Sequence, residues 1–170
     1  PLFQLSRHLT KAIEEKKVVL CMVFSLARAQ EILYKIKCMQ EEGKLDTSIP
    51  IYLDGKLAIR YTNMYAKGVL DIRPEMKDFI PENLQYVDKM TRGVLLGDNS
   101  CKVILTSSGM GSYGPARTYI PAFLERKNVL IHFTGYTAKG TLGRRIKDTP
   151  RGELVEVAGM ILTKRADVQY

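Results

Sequence analysis

The chain has 170 residues, a formal net charge of +8 and an isoelectric point near 9.4. Its apolar content of 45% and charged content of 26% are ordinary for one globular domain and exclude a disordered or collagen-like chain. The longest apolar run, Val18 to Phe24, is far shorter than the roughly 18 residues of a membrane-spanning helix. Three widely spaced cysteines argue against a disulfide framework and for a reducing compartment such as the cytoplasm.

Amphipathic segments alternate with short apolar runs along the chain. Ser25 is the predicted N-cap of the second helix, and Gly43 suits its C-terminal end. The predicted helices span residues 5–16, 26–42, 57–65 and 91–96, and another starts near 114–115. The predicted strands span residues 18–24, 49–53, 84–87, 102–106 and 128–133, followed by β-like runs over 153–162 and 166–170.

Alternating strands and helices predict an α/β fold, a Rossmann-like three-layer sandwich with a mainly parallel sheet and helices on both faces. We expect residues 1–170 to form a single domain. Ligands meet such sheets at the carboxyl ends of the strands. Three polar loops are predicted there, over residues 25–28, 106–114 and 134–145.

Four motifs follow one another at characteristic spacing. They are Arg28-Ala-Gln-Glu31, Pro50-Ile-Tyr-Leu-Asp54, Ser107-Ser-Gly-Met110 and Gly135-Tyr-Thr-Ala-Lys-Gly-Thr-Leu-Gly-Arg144. In this order they resemble the β-CASP region of metallo-β-lactamase-fold nucleases, with the likeness greatest to the cleavage-and-polyadenylation-type and bacterial exonuclease-like members. The resemblance implies the substrate-binding portion of a metal-dependent RNA-processing hydrolase, an endo- or exoribonuclease. One departure is Ala27, which stands where the family usually has glycine.

The resemblance also implies zinc, yet the chain has no His-x-His-x-Asp-His run. Its two histidines are His8, without a ligand partner at suitable spacing, and His132, predicted to be a core or edge histidine of a strand with its hydrogen bonds satisfied. We expect no metal ligands here, and therefore no hydrolysis by this chain alone. The expectation is an excised piece of a larger enzyme whose metallo-β-lactamase domain supplies zinc.

Glu31 matches the acidic motif of the family, which implies an accessory catalytic role. Its carboxylate would orient a histidine from outside this chain that transfers a proton to the leaving oxygen. The alternative is a surface glutamate that pairs with Lys35 one helical turn later.

The predicted substrate-binding residues lie on the three loops and are Arg28, Ser107, Ser108, Gly109, Tyr136, Lys139, Arg144 and Arg145. Arginine binds phosphate oxygens in a bidentate manner, and tyrosine stacks on unpaired bases. Single-stranded RNA is therefore the expected partner. The alternatives are a tight strand–helix turn at residues 107–114 and a solvated loop over the cations of residues 139–151.

Two other functions remain open at this point. One is a non-catalytic RNA-binding or scaffolding module of the same family. The other is a Rossmann-like nucleotide-binding domain, since Gly109, Gly111 and Gly114 match Gly-x-Gly-x-x-Gly, although a lone match of this kind is weak.

Overall fold

A computed structural model describes residues 2–170. Its six α-helices are α1 (Leu2–Glu14), α2 (Arg28–Glu41), α3 (Lys56–Ala66), α4 (Lys89–Gly97), α5 (Ala116–Phe123) and α6 (Leu142–Asp148). Its eight strands are β1 (Val18–Met22), β2 (Ile51–Asp54), β3 (Leu84–Tyr86), β4 (Lys102–Thr106), β5 (Val129–Phe133), β6 (Leu154–Val157), β7 (Met160–Thr163) and β8 (Asp167–Gln169). None of these helices is long and apolar enough to cross a membrane.

Six of the strands form one parallel sheet in the order β3-β2-β4-β1-β5-β8. The central strand β1 pairs with β4 on one side and β5 on the other, with Leu20 opposite Ile104 and Ile131. The predicted α/β class and mainly parallel sheet are confirmed. β6 and β7 form a separate antiparallel hairpin.

Helices cover both faces of the sheet, as the three-layer prediction requires. On one face α1, α2 and α3 pack against alternate residues of β1, such as Val19 and Cys21. On the other face α4, α5 and α6 pack against the residues between them, such as Leu20 and Met22. All five residues of β1 are buried, which explains its continuous apolar run.

The second helix starts later than predicted. Ser25 is not its N-cap. Ala27 occupies that position with a φ of 65° and makes no side-chain capping bond, while the backbone oxygen of Ser25 accepts from the side chain of Gln30. A positive φ is strained for alanine and free for glycine, so the departure at Ala27 has a physical consequence.

Two predictions near the C-terminus are wrong in detail. The loop predicted over residues 134–145 ends early, because α6 begins at Leu142 and carries Arg144 and Arg145. Thr141 caps this helix by accepting from the backbone N–H of Arg144. A threonine at this position is a local sequence signal for the start of a helix. The β-like run over 153–162 is divided by a turn at residues 158–159 with positive φ, which makes it a hairpin.

Candidate nucleic-acid interface

Three loops meet at the carboxyl ends of the adjacent strands β4, β1 and β5. The helix after β1 packs on one face of the sheet and the helix after β4 on the other. Neighbouring strands whose following helices diverge in this way mark the switch point of the topology, where α/β sheets open a ligand-binding crevice. The three predicted loops are thus brought together at the edge of the sheet where a ligand-binding crevice is expected.

The ring of Phe24 joins these three loops. A Cβ atom at Gly109 would lie 2.9 Å from this ring, and one at Gly135 would lie 2.7 Å from it. Phe24 leaves β1, Gly109 follows β4 and Gly135 follows β5, so each loop contributes one side of the contact. Any side chain at either position would displace the ring, which explains on steric grounds why both motif positions are glycine.

Hydrogen bonds fix the Ser-Ser-Gly loop after β4. Ser107 donates its backbone N–H to the carbonyl oxygen of Asp54 at 3.2 Å, and the Ser108 hydroxyl accepts from the N–H of Tyr113 at 3.1 Å. Ser107 and Ser108 therefore brace the turn, as the tight-turn alternative predicts. Within residues 2–170, no backbone oxygen outside the helices and strands accepts from the N–H groups of Gly109 and Met110.

The amino end of α6 offers no free donors to an anion. Leu142 donates to the Ser112 hydroxyl at 3.3 Å, Gly143 to the Met110 carbonyl at 2.8 Å and Arg144 to Thr141 at 3.3 Å. These bonds tie the loop after β4 to α6. They make α6 a support for that loop, so a contact of α6 with an anion would have to come from its side chains.

Arg28 and Glu31 form an ion pair on the first turn of α2. The Arg28 guanidinium lies 2.9 Å from the Glu31 carboxylate, and both side chains are about one-third exposed. The alternative partner of Glu31, Lys35, is not the one it takes. Arg28 also lines a cleft of about 310 Å³ together with Thr134, Gly135 and Lys147. Lys147 was not among the predicted site residues.

Lys139, Arg144 and Arg145 lie together on a second cleft of about 540 Å³, between α6 and the β6–β7 hairpin. Arg144 is held by Asp148 at 2.7 Å, whereas Lys139 and Arg145 are exposed and have no carboxylate within 4.0 Å among residues 2–170. The structure thus separates Arg28 from these three cations. Tyr136 is 71% exposed, as a base-stacking side chain must be.

The remaining cations between residues 139 and 151 have partners. Lys147 lies 3.7 Å from the ring centroid of Tyr170, and Arg151 pairs with Asp167 at 2.6 Å. The basic segment is therefore not a uniform solvated loop. Its free charge is concentrated at Lys139 and Arg145.

A buried polar network at the end of β2 was not predicted. Asp54 is 1% exposed and accepts two hydrogen bonds of 2.7 Å from Arg92 and a third of 2.7 Å from the hydroxyl of Tyr119. Burial, followed by the bond to Asp54, raises the pKa of the Tyr119 hydroxyl. The network ties β2 to α4 and α5 directly below the Ser-Ser-Gly loop. The sequence signal was the acidic end of an apolar strand, Ile51–Asp54.

The histidines do not form a metal site. In the part of the chain that the structure describes, no three His, Cys, Asp or Glu side chains converge to hold a metal ion. His132 is buried in β5, as predicted, and its Nε2 atom contacts His8 of α1, but its Nδ1 atom has no hydrogen-bond partner among residues 2–170, so the expectation of a fully satisfied ring is wrong. Two imidazoles without a third ligand do not fit zinc. Cys21 is buried and free, and burial raises its pKa to about 12, as expected of an unreactive structural thiol.

Comparison with known proteins gives a consistent result. Residues 29–146 match the family model of the Beta-Casp domain. An RNase J-like protein of Methanocaldococcus jannaschii is 34% identical over 148 residues, covering 85% of this chain and 34% of the relative. Transcription termination factor FttA of Methanosarcina mazei is 30% identical over 146 residues, covering 79% of this chain and 22% of that protein.

A eukaryotic relative carries the same likeness. Endoribonuclease ysh1 of Schizosaccharomyces pombe is 29% identical over 158 residues, covering 89% of this chain and 20% of the relative. The chain therefore spans between about a fifth and a third of the length of these three relatives. The matched residues 29–146 contain three of the four motifs and all but the first residue of Arg28-Ala-Gln-Glu31.

Proposed function

This chain belongs to the β-CASP domain family, and on that premise we propose that it is the substrate-binding portion of a metal-dependent RNA-processing nuclease. Its task is to hold single-stranded RNA at the carboxyl edge of the sheet. The observation that carries this proposal is the meeting of the three polar loops around Phe24. That contact gathers Arg28, the Ser-Ser-Gly turn and Tyr136 at one edge.

The charges at this edge suit a polyanion. Arg28 and Lys147 line one cleft, and Lys139 and Arg145 line another, in a chain of net charge +8. Guanidinium and ammonium groups neutralise backbone phosphates, and an exposed tyrosine stacks on a base that is not paired. The names of the relatives, RNase J-like protein and endoribonuclease ysh1, agree with RNA as the substrate.

The alternative of a Rossmann-like nucleotide-binding domain is disfavoured by the same contact. The ring of Phe24 lies in the switch-point crevice against Gly109, where such domains receive a phosphate. The motif glycines have local packing reasons, including Gly111, whose Cβ would lie 2.8 Å from Ile120. A dinucleotide would first have to expel the ring.

Catalysis in the complete enzyme is proposed to depend on residues beyond this chain. Zinc would be held by a metallo-β-lactamase domain of the same parent protein, because residues 2–170 offer no ligand set. Glu31 would serve as the accessory acid that orients an external histidine, in competition with its present partner Arg28. The 170 residues alone would bind RNA without cutting it, in a reducing compartment such as the cytoplasm.

Fluorescence anisotropy with a labelled oligouridylate tests the binding role. We expect Arg28→Ala to weaken binding about tenfold, the value of one charge-assisted contact, and to leave the fold intact. Arg60→Ala is the matched control, since Arg60 is exposed on α3 and lines neither of the two clefts. Absence of binding by the wild-type chain at low salt, or equal losses in both variants, would contradict the proposal. A deoxyuridylate of equal length reports the preference for RNA.

A further inference from the structure

Two contiguous clefts run from the Ser-Ser-Gly loop along α6 to the β6–β7 hairpin. The first, of about 540 Å³, contains Lys139 and Arg145, and the second, of about 200 Å³, contains Arg117. Gly140 and Arg145 line both clefts, so the two clefts adjoin at these residues. We call the two adjoining clefts, with Lys139, Arg145 and Arg117 along them, the basic groove.

The walls of the basic groove are fixed to each other. The ammonium group of Lys164, which follows β7, is buried and donates to the carbonyl oxygens of Ile146 at 2.8 Å and Thr149 at 2.5 Å. Carbonyl oxygens at the carboxyl end of a helix lack N–H partners within the helix, so a lysine ammonium group stabilises them by donating hydrogen bonds. Glu125 accepts from the backbone N–H of Thr163 at 2.8 Å, so the same end of the hairpin, opposite its turn, is held a second time. A groove with clamped walls costs little ordering when a ligand enters.

The charge along the groove is positive. Arg117 is exposed on α5, and neither it nor Arg145 has a carboxylate within 4.0 Å among residues 2–170. The carboxylates that line the groove are Asp148, which is paired with Arg144, and Glu156 of the hairpin. Two uncompensated guanidinium groups along one groove can bind two phosphates of the same strand.

We propose that the basic groove continues the path of the unpaired RNA strand from the Ser-Ser-Gly turn, with Arg117 binding a phosphate next to those contacted at that turn. The proposal rests on the proposed function and assigns a role to Arg117, which no motif of the sequence indicated. An unpaired strand is favoured over a duplex because the exposed Tyr136 lies on the same loop as Lys139 of the groove, where its ring can stack on a base. Duplex RNA keeps its bases out of reach of such stacking.

Binding to oligouridylates of two lengths tests the proposal. We choose about 4 and about 16 nucleotides, the limits of the strand length that one single-strand-binding fold covers. Arg117→Ala should weaken binding of the long strand about tenfold and leave the short one unchanged. The slope of the logarithm of the binding constant against the logarithm of the salt concentration, measured on the long strand, should also fall in magnitude by about 0.7 in this variant. Arg60→Ala on α3 is the control of equal charge and exposure. Amide chemical shifts confirm that both variants keep the fold.

Each outcome has a separate meaning. If Arg117→Ala matches Arg60→Ala on the long strand, the groove assignment is overturned while RNA binding at the loops stands. If Arg117→Ala weakens both lengths equally, Arg117 belongs to the loop site and the groove is not an extension of it. If the wild-type chain binds neither strand, the proposed function itself fails. Competition by polyglutamate of equal charge, as effective as RNA, would overturn the assignment to a nucleic acid.

Discussion

The Nδ1 atom of His8 lies 3.1 Å from the Nε2 atom of His132, and this contact joins α1 to β5. The other ring nitrogen of His132 is buried and has no hydrogen-bond partner among the described residues. One neutral ring can donate to the other, but two charged rings would repel each other. The pair is therefore stable only while at least one of the two rings stays neutral.

Stability is expected to fall when the pH is lowered through the titration range of His132. Burial, and then the charge of His8, lower the pKa of His132 from 6.5 to about 4. Between these values the unfolded chain takes up a proton that the folded chain does not, so the free energy of unfolding decreases as the pH falls. The loss attributable to this one residue is on the order of a few kcal/mol. Urea unfolding at pH 7, 6, 5 and 4 measures it.

His132→Leu separates this effect from the titration of carboxylates. The variant should lose less stability than the wild type between pH 6.5 and 4, because the buried titrating group is gone. His8→Gln is the second control. Because burial is the larger cause, His132 should still titrate well below 6.5 in that variant, as followed by NMR. A normal pKa for His132 in the wild type would contradict the account.

Arg92→Met is expected to destabilise the fold by about 3 kcal/mol. This is the low end for breaking a buried ion pair, chosen because Arg92 is one-quarter exposed while Asp54 is buried. Tyr119→Phe should cost about 1 kcal/mol, since one hydrogen bond to Asp54 is lost. Chemical denaturation measures both. In the double variant Asp54→Asn/Arg92→Met no charge remains unpaired, so part of the loss should return. Strictly additive losses would show that the two residues do not interact.

The contact of Phe24 with Gly109 makes a steric prediction. Gly109→Ala should destabilise the fold by about 1–3 kcal/mol, as overpacking does, and should weaken RNA binding by separating the loops. Replacing the Phe24 ring by a smaller side chain, in the double variant Gly109→Ala/Phe24→Val, should recover part of the stability lost in Gly109→Ala. The control is Gly93→Ala in α4, where a Cβ meets nothing within 4 Å and should stabilise the helix by up to about 1 kcal/mol. Destabilisation at Gly109 without recovery in the double variant would contradict the contact.

Much of the fold could be predicted because its signals are local. The five residues of β1 read as a buried strand since both of their faces are covered, and β4 was predicted with its observed bounds, Lys102–Thr106. The start of α2 could not be predicted, because Ala27 takes a positive φ that its side chain disfavours. α6 was missed because only seven residues carry its pattern, and four of them are charged.

The candidate site was predictable only in outline. The motifs located the three loops, but the sequence could not show that Arg144 is neutralised by Asp148 whereas Arg145 is free. Partners of this kind depend on side-chain geometry. Asp54 and Arg92 are 38 residues apart, and nothing local in the sequence connects them. Long-range polar pairs are therefore the part of the site that only the structure supplies.

Glu31→Gln tests the catalytic assignment in a complete parent enzyme. If Glu31 orients an external histidine, the rate of cleavage should fall, up to about 10²–10⁴-fold, with RNA affinity nearly unchanged. If Glu31 only pairs with Arg28, the rate should be unaffected and the helix should lose about 0.2–0.5 kcal/mol. Glu41→Gln, an exposed change on the same helix, is the matched control. Single-turnover kinetics distinguishes the two outcomes, and wild-type turnover would reject the catalytic role.

The salt dependence of RNA binding should differ between two neighbouring arginines of α6. Arg145 has no carboxylate partner in the described chain, so Arg145→Ala should lower the log–log slope by about 0.7, the value for one phosphate on a single strand. Arg144 is already paired with Asp148, so Arg144→Ala should change the slope less. Asp148→Asn releases Arg144 and should therefore steepen the slope and tighten binding at low salt. Titration of an oligouridylate at four salt concentrations measures all three variants. Equal slopes for Arg144→Ala and Arg145→Ala would mean that the ion pair opens when RNA binds, and an unchanged slope for Arg145→Ala would remove it from the interface.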